Sequence, residues 1–169
     1  MKYQIRQATF EDIRPALELA LRVFMECDSL DYGPEHTERM RLSIEDRIAN
    51  PDYYLPGNRL MFVAFDDKKI IGIIETYGSN RISLMFVDSD YQRQGIATEL
   101  MSRMVCELKK SGYDKVVLNS SPSGLMFYQH FGFSIIEEEK NINTPWKTPM
   151  SYNINEVSVV RDENTSKTL

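Results

Sequence analysis

Apolar and polar positions along this chain recur with two rhythms, a period of two and a period near 3.6, and the switches between them divide it into elements. Tyr3-Gln4-Ile5-Arg6 alternates and predicts a first strand. A helix follows: Thr9 offers an N-cap hydroxyl with Asp12 three residues on, and Ile13, Leu17, Leu19, Ala20, Leu21, Val23 and Phe24 supply an apolar face to about Cys27. Gly33-Pro34 interrupts the pattern between Asp28 and Glu35, after which Met40, Leu42, Ile44, Ile48 and Ala49 predict a second helix that stops before Pro51. Asn58 to Phe65 and Lys69 to Tyr77 are β-rich runs joined as a hairpin by Asp66-Asp67-Lys68, and Arg81 to Val87 completes a three-stranded meander after the turn Tyr77-Gly78-Ser79-Asn80. From Gly95 onward Ile96, Ala97, Leu100, Met101, Met104, Val105 and Leu108 form one broad helical face, with Lys109-Lys110 at its C-terminal dipole and Gly112 beyond. Lys115 to Leu118 is the next strand, reached by a right-handed parallel crossover. Ser123 to His130 reads as a short helix closed by Gly132, Phe133 to Glu137 as a strand, and Trp146 to Tyr152 as its antiparallel partner. Residues 1–155 read as one domain and 156–169, polar apart from VSVV, as a loose tail.

Composition narrows the class. With 169 residues, 42% hydrophobic and 27% charged, the chain can bury a full core without staples. Cys27 and Cys106 fall in helical patterns and read as buried apolar residues of a reducing compartment; with only His36 and His130 besides, no metal site is expected. No apolar run approaches the roughly 20 residues of a membrane span, and the N-terminus has no signal-peptide core, so a cytoplasmic location is expected. A net charge of −5 opposes nucleic-acid binding and leaves room for a cationic substrate such as an amine.

The chemistry centres on the stretch from Phe86 to Met101. A strand ends at Val87, Gln92-Arg93-Gln94-Gly95-Ile96-Ala97 turns, and a helix opens at once. Helix-opening amides lack intrahelical partners and sit at the positive end of the macrodipole, so such a turn is suited to a phosphate. Gly95, with no Cβ, lets an oxygen approach those amides, and small Ala97 keeps the second approach open. Neither GxxxxGK[ST] nor GxGxxG is present. The residues do match [QR]-x-x-G-x-[GA], and the region resembles motif A of the GCN5-related N-acetyltransferase superfamily, where this turn holds the pyrophosphate of acetyl-CoA. Leu125-Met126-Phe127-Tyr128-Gln129-His130-Phe131-Gly132-Phe133 resembles the end of that family's motif B. The order of predicted elements also agrees with the family along nearly the whole chain. The resemblance implies a three-layer α/β/α acyl-CoA N-acyltransferase fold with a mixed, mostly antiparallel central sheet.

It also implies roles. The strands Ile82–Val87 and Lys115–Leu118 would splay so that pantetheine pairs with the open edge through backbone groups of Phe86 and Val87, with an amide near Met85 or Phe86 polarising the thioester carbonyl. Gln92, Arg93, Gln94, Gly95, Ile96, Ala97 and Thr98 would surround the phosphates, Arg93 either binding one or standing exposed. Asn119 or Ser121 would bind pantetheine or a water, or cap the following helix. Tyr128 matches the tyrosine that faces the CoA sulfur; its phenol is protonated at neutral pH and can donate as the thiolate leaves, the alternative being core packing with a satisfied hydroxyl. His130 is expected to point elsewhere. The strand positions that carry a Glu or His base in many members hold Arg81 and Ser83 here, and arginine cannot act as a base. Glu75, on the neighbouring strand and assigned to the face of Ile71 and Ile73, is the substitute; solvation or pairing with Arg81 is the alternative, and a water held by Ser83 is a third. The expected acceptor is a small-molecule amine or an exposed amino group of a peptide, its pocket set by Asp28–Pro34, the second helix and Thr144–Ser151. A homodimer is left open, as is a rival role as a non-catalytic acyl-CoA-binding module.

Overall fold

The computed structural model describes residues 3–55, 59–144 and 146–155. Two antiparallel sheets carry the architecture. The first has the order β1 (Gln4–Gln7), β2 (Met61–Asp66), β3 (Lys69–Thr76), β4 (Ile82–Val87), and the second is built from β5 (Lys115–Ser120), β6 (Ser134–Ile135) and β7 (Thr148–Asn153). Four helices, α1 (Phe10–Val23), α2 (Pro34–Ala49), α3 (Ile96–Lys110) and α4 (Leu125–Phe131), connect and flank them. The succession of strands and helices is the one the apolar rhythm predicts.

Each face of the first sheet has its own core. Ile13, Leu17, Ala20 and Phe24 of the α1 side pack with Ile44 of α2 on Met61, Val63, Ile73, Leu84 and Phe86. On the other face Ile96, Leu100, Met101 and Met104 of α3 pack with Ala64, Ile71 and Ile74, and this core continues into the second sheet through Val116, Leu118 and Met150. Helix, sheet and helix thus form three layers. α3 approaches closely because Gly72 has no side chain: a Cβ there would lie 3.1 Å from Leu100 Cδ1 and 3.2 Å from Ile96 Cγ2.

Several boundaries differ from the periodicity reading. α1 starts where Thr9 directs it, Asp12 accepting from the Thr9 amide at 2.7 Å and its hydroxyl at 2.8 Å. It keeps α geometry only to Val23, and Phe24–Asp28 continues as a π-turn, a form that recurs at functional sites because it re-aims side chains. α2 begins at Pro34, a full turn before the apolar pattern, since proline is pre-organised for the first helical position. The strand expected over Phe133–Glu137 is only Ser134–Ile135, followed by a 3-10 turn over Glu137–Glu139. β7 pairs with β6 but also with all of β5, so it lies between them. Cys27 and Cys106 are exposed, correcting their assignment to the interior. Asn58 and the expected tail 156–169 lie outside the described residues.

The two sheets meet where β4 and β5 run parallel, through an isolated bridge between Arg81 and Val117. The Val117 amide donates to Asn80 O at 3.0 Å and the Asn80 amide side chain to Lys115 O at 2.8 Å. Beyond these contacts the strands are not paired, so they part toward Val87 and Ser120. The expected splay is present.

Candidate active site

A cavity of about 490 Å³ occupies the parting of β4 and β5. Of the residues expected to contact cofactor, Phe86, Val87, Gln92, Arg93, Gly95, Ile96, Ala97, Thr98 and Ser121 line it, as does Tyr128. The turn that crosses its mouth is anchored from below. Asp88, almost wholly buried, accepts from Arg22 at 2.9 Å, from Lys69 at 3.0 Å and from the Asp90 amide at 3.1 Å. Burial works against this charge, but the Lys69, Asp90 and Arg22 hydrogen bonds outweigh it and hold the carboxyl below its usual range.

Gly95 then takes φ +83°, a left-handed conformation that L side chains rarely adopt, and α3 begins at the next residue. Among the described residues, no acceptor meets the backbone amides of residues 93 to 98. Free donors at the positive end of a 15-residue helix are suited to an anion. The space over Gly95 is open, its absent Cβ meeting nothing nearer than Tyr3 Oη at 3.8 Å. The Gln94 side chain donates to Asp90 O at 3.4 Å, and Gln94, expected at the phosphates, does not line the cavity.

The free edge of β4 is set by hydrogen-bond parity. The Asp88 amide donates to Ile71 O at 2.9 Å across the sheet, and Phe86 stands opposite Ile73. In an antiparallel ladder alternate residues turn their polar groups to the same neighbour, so the backbone of Phe86 serves β3 while that of Met85 and Val87 faces the cavity. The Val87 carbonyl already accepts from Gln92 Nε2 at 3.1 Å. Phe86 contributes its ring, edge-on to Phe24 with centroids 6.5 Å apart.

Tyr128 is held by its ring between Phe127 and Phe133, at centroid separations of 5.2 and 5.6 Å. No acceptor among the described residues takes its hydroxyl, which opens on the cavity. Burial, then the charge of Asp28 and the phenol of Tyr32, push it well above the ordinary phenol value. Ser121 Oγ accepts from the Gly124 amide at 3.2 Å and lies 3.1 Å from Ser123 Oγ, so it closes the turn before α4, and it lines the cavity. Asn119 does neither; it is exposed, opposite Pro149 in the β5–β7 ladder, and does not line the cavity. The His130 ring pairs with Met126 O at 2.7 Å on the exposed side of α4.

Glu75 is placed away from the cavity. A bulge leaves Ile71 unpaired between Ile70 and Gly72, so Ile71 faces α3 while Ile73 and Glu75 face α1 and α2. There the carboxylate, 0% exposed, receives Arg47 Nη1 at 3.1 Å, Ser83 Oγ at 2.6 Å, Arg59 Nη1 and the Tyr54 hydroxyl. Four donors occupy it, and it does not line the cavity.

Comparison with known proteins agrees with this geometry. The family model described as "Acetyltransferase (GNAT) domain" matches residues 30–154. The chain belongs to the GNAT acetyltransferase family. In its sequence this GNAT chain is 28% identical over 126 residues to N-alpha-acetyltransferase MAK3 of Arabidopsis thaliana, covering 64% of this chain and 66% of that protein. It is 31% identical over 84 residues to human N-acetyltransferase 8, covering 43% and 37%. The chain therefore spans about two thirds of the one relative and little more than a third of the other. In structure, PaiA N-acetyltransferase from Thermoplasma acidophilum, solved in complex with coenzyme A, superposes with a TM-score of 0.72 at 23% identity, covering 90% of this chain and 99% of that one. A GCN5-related N-acetyltransferase from Rhodopseudomonas palustris gives 0.76 at 20% identity, covering 90% and 96%.

The GNAT cavity also gathers residues that periodicity did not mark. Cys27 and Asp28 reach it from the π-turn after α1, Tyr91 and Ser123 from the flanking turns, and Phe127 from α4. Asp28 is mostly buried; desolvation and then the charge of Asp31 raise its carboxyl above the ordinary range, against a hydrogen bond from Ser123. Tyr32, likewise buried and next to Asp28, is pushed up to about 12. Tyr32 stacks on His36 at 4.7 Å and His36 on Trp146 at 5.6 Å, joining the α1–α2 connection to the segment before β7. The one hint in the sequence is that Asp28 opens the segment read as part of the acceptor pocket. Among the described residues no group of metal-ligating side chains is found, and no helix is long and apolar enough to cross a membrane.

Proposed function

We propose that this GNAT domain transfers the acetyl group of acetyl-CoA to a primary amine of a small molecule or peptide, by direct attack in a ternary complex. The observation that carries the reading is that the backbone of Arg93 and of Gly95 to Thr98, whose amides meet no acceptor among the described residues, and the Tyr128 hydroxyl, likewise without a partner there, line one cavity at a strand edge. Such a cavity offers a diphosphate site, a ladder for an amide-bearing arm and a proton donor in sequence along one path. The coenzyme A in the Thermoplasma neighbour's structure supports the same ligand here.

In this mechanism the amides of residues 93–98 hold the diphosphate, with Arg93 beside them. Backbone groups of Met85 and Val87 pair with the pantetheine arm, and the Met85 amide polarises the thioester carbonyl. Asp28 takes the proton that the acceptor must lose, a task suited to a carboxylate whose neutral form burial and Asp31 favour. The amine lone pair forms the C–N bond, the C–S bond breaks, and Tyr128 donates a hydrogen bond to the departing thiolate. Glu75 has a different task, holding Arg47, Arg59 and Ser83 against the sheet.

The test is to mix the protein with acetyl-CoA and a panel of amines and follow free thiol. Turnover on at least one amine, lost in Tyr128→Phe, supports the reading. Stabilisation by coenzyme A with no turnover on any amine favours a binding module instead.

A further inference from the structure

A second hollow, of about 320 Å³, lies at the other end of β4, where β4 and β5 are joined, and shares no lining residue with the cofactor cavity. Asp46, Arg47, Arg59, Arg81 and Ser83 line it together with Tyr53 and Tyr77. Its electrostatics are unbalanced. Arg47 and Arg59 are only 14% and 9% exposed, yet both rest on a single carboxylate, Glu75, which is itself fully buried. Arg81 stands next to them without an acidic partner among the described residues. Three guanidiniums thus meet two carboxylates, Glu75 and Asp46, and Asp46 already accepts from Asn50 Nδ2 at 2.8 Å. Glu75 balances one of the two poorly exposed guanidiniums, and Arg81, which is exposed to solvent, leaves the hollow with one more positive than negative charge.

The hydrogen-bonding inventory points the same way. Each guanidinium carries five N–H donors in a planar fork. Among the described residues Arg47 and Arg59 each spend only Nη1, both on Glu75 Oε1. The Arg59 guanidinium is stacked on Tyr77 at 4.3 Å, which fixes its plane and directs the unspent edge. Around this polar floor Tyr53 and Tyr77 are 44% and 58% exposed, an aromatic rim open to solvent.

We propose that this hollow is a binding site for an organic monocarboxylate with an apolar body. The carboxylate supplies the single missing negative charge and matches the fork geometry of the arginines. The apolar body lies on Tyr53 and Tyr77. A phosphate monoester, at about −1.5 to −2 near neutral pH, overshoots the excess charge. The assignment stands whether or not the domain transfers acetyl groups.

Benzoate is a suitable probe, with benzamide as its uncharged counterpart and phenyl phosphate as its overcharged one. The full chain is titrated with each while the arginine Nε–H resonances are followed by NMR. Benzoate is expected to shift those of Arg59 and Arg81 saturably, benzamide not to, and phenyl phosphate to bind more weakly than benzoate. Arg81→Ala should weaken benzoate about tenfold or more, the worth of a charged hydrogen-bonded contact, while a cooperative thermal unfolding transition shows that the variant remains folded. Absence of a saturable benzoate shift, equal affinity for benzamide, tighter binding of phenyl phosphate, or an unchanged benzoate affinity in folded Arg81→Ala would each overturn the proposal.

Discussion

Replacing Glu75 by glutamine separates an anchor from a base. The substitution keeps the shape of the side chain and removes its charge. In the native protein the carboxylate accepts from Arg47, Arg59, Tyr54 and Ser83, so every neighbour is a donor. A carboxamide would turn an NH2 group toward one of them and leave two guanidiniums, 14% and 9% exposed, without their counter-charge. Removing one partner of a buried ion pair costs about 3–5 kcal/mol, and the lower end applies because the hollow lets water reach the outer edges of both arginines. For a domain of this size 1 kcal/mol moves Tm by about 2–4 °C, so a loss of about 3 kcal/mol corresponds to about 6–12 °C. The assay is thermal unfolding beside steady-state kinetics, measured well below the variant's Tm. As an anchor, Glu75→Gln loses stability by this amount and keeps kcat per folded molecule within a few-fold. A Tm within 2 °C of the parent, roughly 1 kcal/mol or less, together with a kcat lowered by two orders of magnitude or more, would refute the anchor and restore Glu75 as a base.

Three further outcomes follow from the site. Tyr128→Phe should lower kcat about 10²–10⁴-fold with coenzyme A affinity and Tm nearly unchanged, because the hydroxyl has no partner among the described residues; turnover and calorimetry check this. Gly95→Glu should abolish coenzyme A binding in calorimetry by placing bulk and negative charge over the open amides, and should also lower Tm, since a side chain at φ +83° costs about 1–2 kcal/mol. Asp28→Asn should lower activity yet raise stability at neutral pH. A carboxyl raised in the folded state makes ionisation oppose folding, so the parent loses stability as pH climbs from the ordinary aspartate value of about 4 through the raised one. Unfolding curves across this window should show the two proteins converging below pH 4 and separating above it; a gap independent of pH contradicts the burial of that charge.

Features that depend on neighbours along the chain were legible in the sequence. The order of the seven strands and four helices follows from apolar periodicity, and the cofactor turn follows from Gly95 set between a strand end and a helix start, since its amides belong to contiguous residues. Thr9 and Asp12 could be read as a helix start for the same reason. Tertiary structure decided what no contiguous stretch contains. Glu75 meets donors from positions 47, 54, 59 and 83, and Asp28 comes to act on Tyr128 across 100 residues of chain. The bulge at Ile71 puts that residue on the face opposite Glu75, because a strand alternates with period two and one extra residue inverts every assignment beyond it. A second register shift, opposite Glu75, leaves Ser83 unpaired between Ile82 and Leu84, so that Met85 and Val87 present their backbone to the cofactor cavity. Period and turn chemistry are written locally; which charge meets which is settled only when distant segments are packed together and water is excluded between them.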